Sequence, residues 1–265
     1  MLISHALVRP PCDSYASGLT QSTEGPPDPG LARGQHAAYC QAFRDLGVVV
    51  TTLPDAPGHP DGTFVEDTAL CLADRCIITR PGAPSRRGEC ASVEPALRRL
   101  YQKVMLIEAP GTVDGGDVCV AEDLMFIGLS ARTNEAGADQ LCSLARSAGL
   151  TPHIIDIRGR QDLLHLKSGI NYLGEGLFLL CPDTPAVAAI DRHQCLVTEA
   201  DEAYAANALA VNGTVLIAEG YPRLAAALAA RGRRVKTMQV SEFRKMDGGL
   251  TCLSLRIPAG TAQVS

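Results

Sequence analysis

Cys252 follows a pair of glycines, Gly248 and Gly249, and precedes the alternating residues Leu253, Leu255 and Ile257. Glycines let a backbone turn tightly or approach a ligand closely, and the alternation reads as a strand. A thiol at the mouth of a strand, beside a loop, is placed as a nucleophile would be. A cysteine is ordinarily a small buried hydrophobe, and only an activated thiol attacks carbon. What singles out Cys252 is its company. Glu66-Asp67, Asp114 with Asp117, His165 and Asn207 also each stand just before a strand-like apolar run. Taken singly, such residues are more often structural. Gathered in one cleft, a thiol, a histidine and carboxylates are the parts of nucleophilic catalysis with acid/base assistance.

What could gather them is a repeat. From the first helix onward the pattern is helix, strand, loop, strand, turn, strand, returning every 40–55 residues or so, a period typical of blades and arrays. Helices are expected at 35–46, 89–101, 134–148, 184–191 and 222–230, with Gly47, Gly149 and Gly232 as terminators. Strand pairs are expected at 64–72 with 76–79, 118–121 with 124–127, 169–173 with 177–181, and 208–211 with 215–218. Asn212-Gly213 supplies a hairpin signal for the last pair. The fifth unit runs from its helix and a strand at 235–240 to Cys252 and lacks a return strand, which the N-terminal strand at 2–8 can supply. Closure of that kind makes a ring with few free sheet edges. The expected fold is therefore one α/β domain over 1–265, a five-bladed propeller of ββαβ units closed by the N-terminal strand. A doubly wound parallel sheet is the alternative, and the tight hairpins argue against it. Residues 13–34, rich in Gly, Pro, Ser and Thr, are expected to form a lid loop. Residues 258–265 look like a polar tail.

Composition narrows the partners. The chain has 265 residues, 46% of them hydrophobic, and a formal net charge of −5. That balance gives no reason to expect nucleic acid, and the absence of tryptophan removes the best stacking platform. No stretch of 18 apolar residues could cross a membrane, and the N-terminus has the wrong flanks for a signal peptide. The ten cysteines are scattered without a C-x-x-C pair, so neither a disulfide framework nor a structural metal is expected. A cytoplasmic protein is expected. A homodimer is left open.

At the candidate residues the chain resembles the dimethylarginine dimethylaminohydrolase family, within the wider group of guanidino-modifying enzymes. The matching stretches are Phe64-Val65-Glu66-Asp67, Ile78 through Arg87, Asp114-Gly115-Gly116-Asp117-Val118, Ile127 through Asn134, Leu164 through Ser168, and Val240 through Leu255. The resemblance spans about residues 2 to 257 and implies a five-bladed α/β propeller. It implies Cys252 as nucleophile, His165 as acid/base, and Asp114 as the group orienting His165 or the substrate. Some family members carry Glu at the place of Asp114, one carbon longer in reach. Asp67 and Glu66 would hold the guanidinium. Asp61 and the Leu19 backbone would take the substrate ammonium, Arg86 and Arg132 its carboxylate, and Met246 would offer a carbonyl, with Asp247 beside it. The implied substrate is a methylated arginine. No cofactor and no metal are implied.

This chemistry suits these groups. A guanidinium is a planar cation that carboxylates recognise through paired N–H···O bonds. Its carbon needs a strong nucleophile, which a thiolate is. The amine cannot leave as an anion, so histidine protonates it, and water then hydrolyses the thiouronium adduct to citrulline. A deiminase of plain arginine and a catalytically silent binding propeller are the rival readings. Asp67 and Asp114 near Cys252 would keep the empty-site thiol neutral.

Overall fold

The computed structural model describes residues 2–160, 162–184, 190 and 195–261. Among the described residues, fifteen strands form five three-stranded sheets. The chain runs β1 (Ile3–Val8), α1 (Pro29–Asp45), β2 (Val49–Thr52), β3 (Ala69–Cys71), β4 (Cys76–Ile78), α2 (Cys90–Arg98) and β5 (Val104–Leu106). It continues through β6 (Val118–Ala121), β7 (Leu124–Leu129), α3 (Glu135–Ser147), β8 (Thr151–Asp156), β9 (Ile170–Tyr172), β10 (Phe178–Leu180) and β11 (Cys195–Val197). β12 (Leu209–Val211), β13 (Thr214–Ala218), α4 (Pro222–Ala230), β14 (Arg234–Met238), α5 (Ser241–Arg244) and β15 (Leu255–Pro258) complete it.

Every sheet has one plan. An inner strand pairs antiparallel with a middle strand, and the middle strand pairs parallel with an outer one. A tight turn suffices for an antiparallel pair, whereas a parallel pair needs a crossover. Accordingly Asn212-Gly213, with φ of 45° and 82°, joins β12 to β13, and α4 carries the chain from β13 to β14. Middle strands such as β13 are buried throughout, as strands covered on both faces are. Outer strands turn apolar residues outward, Val49, Leu106, Ile154 and Val197 among them.

The sheets follow one another around an axis. β15 packs on β3, β6 on β9 and β9 on β12, while α1 meets β14. The N-terminal strand closes the ring, since β1 pairs with β15 in the register Leu7↔Leu255. The fold is thus the five-bladed α/β propeller expected from the repeat. The phase of the repeat is different, however. The sheets of β3, β6 and β12 each group strand, turn, strand, helix, strand, and β1, α1 and β2 follow the same order after β15, so a unit counted from its helix straddles two blades.

Three local expectations need correction. α1 begins at Pro29, not at 35, because Asp28 caps it by accepting from the Leu31 amide at 2.9 Å and Pro29 sits at its first turn. The lid is shortened at its other end as well, since Tyr15 is fully buried against Phe64 and Phe243 and donates to the Glu242 carbonyl. The exposed span is nearer 16–26. Pro258 ends β15 and the Ala259 amide bonds the Leu2 carbonyl, so the tail starts later than 258. The helix expected at 184–191 falls largely outside the described residues.

Candidate active site

Each inner strand is preceded by a short turn of 3-10 helix, and the polar residues lie in those turns or directly beside them, Asp114 and His165 just before theirs and Asn207 just after. The turns are Val65–Thr68 before β3, Gly115–Asp117 before β6, Leu166–Ser168 before β9, Ala200–Ala206 before β12 and Thr251–Leu253 before β15. Neighbouring turns pack together around the axis. Cys252 is therefore inside a turn beside the mouth of a strand, with β15 beginning three residues later. Gly249 lets this turn approach its neighbour, because a Cβ there would sit 2.5 Å from the Asn207 amide. Asn207 Oδ1 in turn accepts from the Thr251 amide at 3.0 Å.

One cavity is lined by Leu19, Asp61, Phe64, Asp67, Arg86, Arg132, Leu164, His165, Met246, Asp247, Gly248 and Cys252. Nine of the eleven expected site residues are among these twelve. Asp114 is the tenth, fully buried behind His165, with its Oδ2 3.0 Å from His165 Nε2 and its Oδ1 accepting from the Gly82 amide. Asp67 accepts from the Gly116 amide at 2.8 Å and from Arg86 Nη1 at 2.6 Å. A Cβ on Gly116 would lie 2.8 Å from both Asp67 and the His165 ring, so only glycine lets these turns meet. Asp117 steadies the far side, its Oδ1 accepting from the Leu166 amide and its Oδ2 from Ser130 and Thr133.

Glu66 is the exception. It adjoins the site but does not line the cavity, because its carboxylate is taken by Lys167 Nζ at 2.6 Å, by Arg256, and by Thr251 Oγ1 at 2.8 Å. A carboxylate held by two cations and a hydroxyl on the opposite side does not point at a guanidinium in the cavity. Arg86 is also more constrained than expected. Of its five N–H donors, four go to Glu89, Asp67 and the Phe64 carbonyl, leaving one on Nη1. Arg132 differs: it is half-buried in the lining, and among the described residues its guanidinium makes no hydrogen bond. Phe64, Leu164, Glu89 and Lys167 were missed as site neighbours. Phe64, Leu164 and Lys167 carried a signal, lying in the matching stretches around Asp67 and His165; Glu89 carried none.

Charge follows from this packing. Burial opposes protonation of His165, but Asp67, the hydrogen bond it donates to Asp114, and Asp117 outweigh it and raise the imidazole to about 9. Burial likewise opposes ionisation of Asp114, and the His165 contact outweighs it, so its carboxyl stays below the ordinary range. Together they form an imidazolium–carboxylate pair at neutral pH. Burial pushes the Cys252 thiol up to about 12, with Glu66 and Asp67 adding to it. The thiol is neutral near pH 7, as expected, but Glu66 rather than Asp114 is the second anion responsible. Burial raises the Asp61 carboxyl, partly offset by Arg86 and by the Leu19 amide, which donates to it at 2.9 Å.

Oxygen and nitrogen atoms of Asp67, Asp114 and His165 lie within 4.8 Å of one another, close enough to ligate a cation. All three are already engaged, with Arg86 and Gly116, with Gly82, and with each other. The trio therefore reads as proton-handling machinery next to a thiol.

The 16–26 segment borders the cavity, which Leu19 lines. Asp247 Oδ2 accepts from Thr20 Oγ1 at 3.0 Å and from the Gln21 amide at 2.6 Å, and Glu24 pairs with Arg244 at 2.8 Å. These exposed polar ties close the loop without an apolar anchor beyond Tyr15. Limited proteolysis is expected to cut within 16–26 of the free protein, and a bound substrate analogue should protect it. Equal cutting with saturating analogue would make the segment a plain surface connection.

A family description, "N,N dimethylarginine dimethylhydrolase, eukaryotic", matches residues 29–217. The N(G),N(G)-dimethylarginine dimethylaminohydrolase of Pseudomonas aeruginosa is 40% identical over 256 residues, covering 96% of this chain and all of the relative. The Streptomyces coelicolor protein of the same name is 35% identical over 254 residues, covering 95% of this chain and 96% of that one. Among solved structures, a Pseudomonas aeruginosa cysteine-to-serine mutant complexed with citrulline superposes with a TM-score of 0.93 at 40% identity, covering 97% of this chain and 100% of that one.

Proposed function

The chain belongs to the dimethylarginine dimethylaminohydrolase family, and from that premise we propose that it hydrolyses Nω-methylated L-arginine to L-citrulline and dimethylamine or methylamine. The observation that carries the reading is the single cavity shared by Cys252, His165, Asp67, Asp61 and Arg132. Asp67 receives the guanidinium at one end. Asp61 and the Leu19 carbonyl receive the ammonium at the other, and Arg132, with the spare Arg86 N–H, receives the carboxylate. Met246 and Asp247 close the cavity over the side chain.

With substrate bound, the Cys252 thiol gives its proton to solvent, and Sγ attacks the guanidinium carbon and forms a C–S bond. His165 gives its proton to the methylated nitrogen as the C–N bond breaks, and the neutral amine departs. The remaining thiouronium adduct is attacked by water, with His165 as base, and the C–S bond breaks to return the thiol and leave citrulline. Asp114 holds His165 oriented and protonated for the first half of the cycle. Because the thiol is neutral in the empty site, the substrate's own positive charge against Asp67 favours its ionisation.

Product analysis tests this. Purified protein given Nω,Nω-dimethylarginine should release dimethylamine and citrulline in equal amounts. Ammonia from plain arginine at comparable kcat/KM would overturn it in favour of a deiminase. Arg132→Lys should raise KM about ten- to a hundredfold with kcat little changed, the cost of a charged hydrogen-bond pair. A decarboxylated substrate analogue should lose little further in that variant. Equal losses with both substrates would show that Arg132 does not touch the carboxylate.

A further inference from the structure

Behind the catalytic cavity lies a second one, of about 180 Å³, and the two share no lining residue. Glu66, Lys167, Thr251 and Arg256 all line it. They form one buried cluster. Glu66 Oε1 meets Lys167 Nζ at 2.6 Å and Arg256 Nη2 at 2.5 Å, and its Oε2 accepts from Thr251 Oγ1 at 2.8 Å. Arg256 Nη1 donates to the Thr251 carbonyl at 2.8 Å and the Ser254 carbonyl at 3.0 Å, on either side of Cys252 and Leu253. Asn207 Nδ2 reaches Thr251 Oγ1, and its Oδ1 accepts from the Thr251 amide.

Sequence position gives the cluster its meaning. Glu66 is the residue before Asp67, Lys167 is two beyond His165, and Thr251 is the residue before Cys252. Three blades that each deliver one reacting group are thus joined, one or two residues away, through one carboxylate. We infer that Glu66, Lys167, Thr251 and Arg256 act as a single positioning unit for the proposed hydrolysis, fixing Asp67, His165 and Cys252 relative to one another and setting the charge beneath the thiol. Burial disfavours the Glu66 carboxylate, but Lys167 and Arg256 outweigh it and keep it ionised. An anion and two cations then sit under Cys252 with opposite effects on its proton, Glu66 holding it and Lys167 releasing it. The other groups facing the thiol are Asp67 from the Glu66 turn, His165 and Asp247 in the cavity lining, and the Tyr15 and Tyr204 phenols.

The inference rests on the proposed reaction, so its test includes a readout that needs no turnover: the pH dependence of Cys252 alkylation by neutral iodoacetamide. Lys167→Met should move the alkylation midpoint to higher pH and Glu66→Gln to lower pH, each by about one unit or more, the usual effect of one nearby charge. Both should lower kcat for dimethylarginine by up to about 10²-fold with KM within a few-fold, as a small misplacement of reacting groups does. Thr251→Val, which deletes only the hydroxyl link, should lower kcat, and Thr251→Ser should restore it. The Thr251 pair keeps the test open should either charge variant fail to fold. Midpoints that stay put, or move the same way in folded variants, would overturn the inference, as would full activity in Thr251→Val. A wild-type protein that releases no dimethylamine would sink the reaction instead, leaving the alkylation midpoints to judge the cluster.

Discussion

Cys252→Ser is expected to abolish turnover, by about 10⁴-fold or more, while leaving the fold intact. A serine hydroxyl is a far weaker nucleophile than a thiolate, and loss of the nucleophile from a catalytic unit removes most of that unit's acceleration. Folding should survive because the turn is held by its backbone and its neighbours. Asn207 accepts from the Thr251 amide, Arg256 takes the Thr251 carbonyl, and Leu253 is buried in the core. The oxygen is smaller than the sulfur, so no overpacking arises. Citrulline formation and thermal melting, measured side by side, check both halves. Activity within tenfold of wild type would take Cys252 out of the mechanism.

His165→Gly is expected to slow the reaction by roughly 10²–10⁴-fold, the share of one positioned acid/base group. The same change leaves Asp114 buried without its imidazolium partner. The carboxyl then keeps only the Gly82 amide, and its pKa should rise. A loss of about 1–3 kcal/mol of stability should accompany the kinetic defect, the cost of an unsatisfied buried group. Added imidazole, entering the space of the lost ring, should restore part of the rate. A His165→Gly enzyme with wild-type kcat would place the acid elsewhere.

How far the sequence could be read depended on length scale. The blade count was legible because each blade spells its strands and helix with separate apolar runs, and Asn212-Gly213 marks one hairpin without ambiguity. The phase of the blades was not, since sheet partners are set by pairing and no residue announces which strand a helix belongs with. The five 3-10 turns were also invisible, being three to seven residues long with no periodicity to detect. They are nonetheless what aligns Asp67, His165 and Cys252. α1 carried its start signals, Asp28 and Pro29, but Gly30 and Gly34 inside its first turns masked them. At the site, the residue types were legible and their partners were not. Glu66 and Asp67 are adjacent and chemically alike, yet they face opposite cavities, because successive residues in the turn point to different sides. Arg86 was expected on the substrate carboxylate, whereas Glu89, three residues on, takes two of its N–H donors.

The central claim is a covalent step on Cys252, and acid-quenched single-turnover mass spectrometry with Nω,Nω-dimethylarginine tests it most directly. The account predicts a transient species on the Cys252 peptide weighing the substrate less dimethylamine, forming and decaying at rates that match citrulline release. Citrulline appearing at full rate with Cys252 unmodified throughout would contradict it.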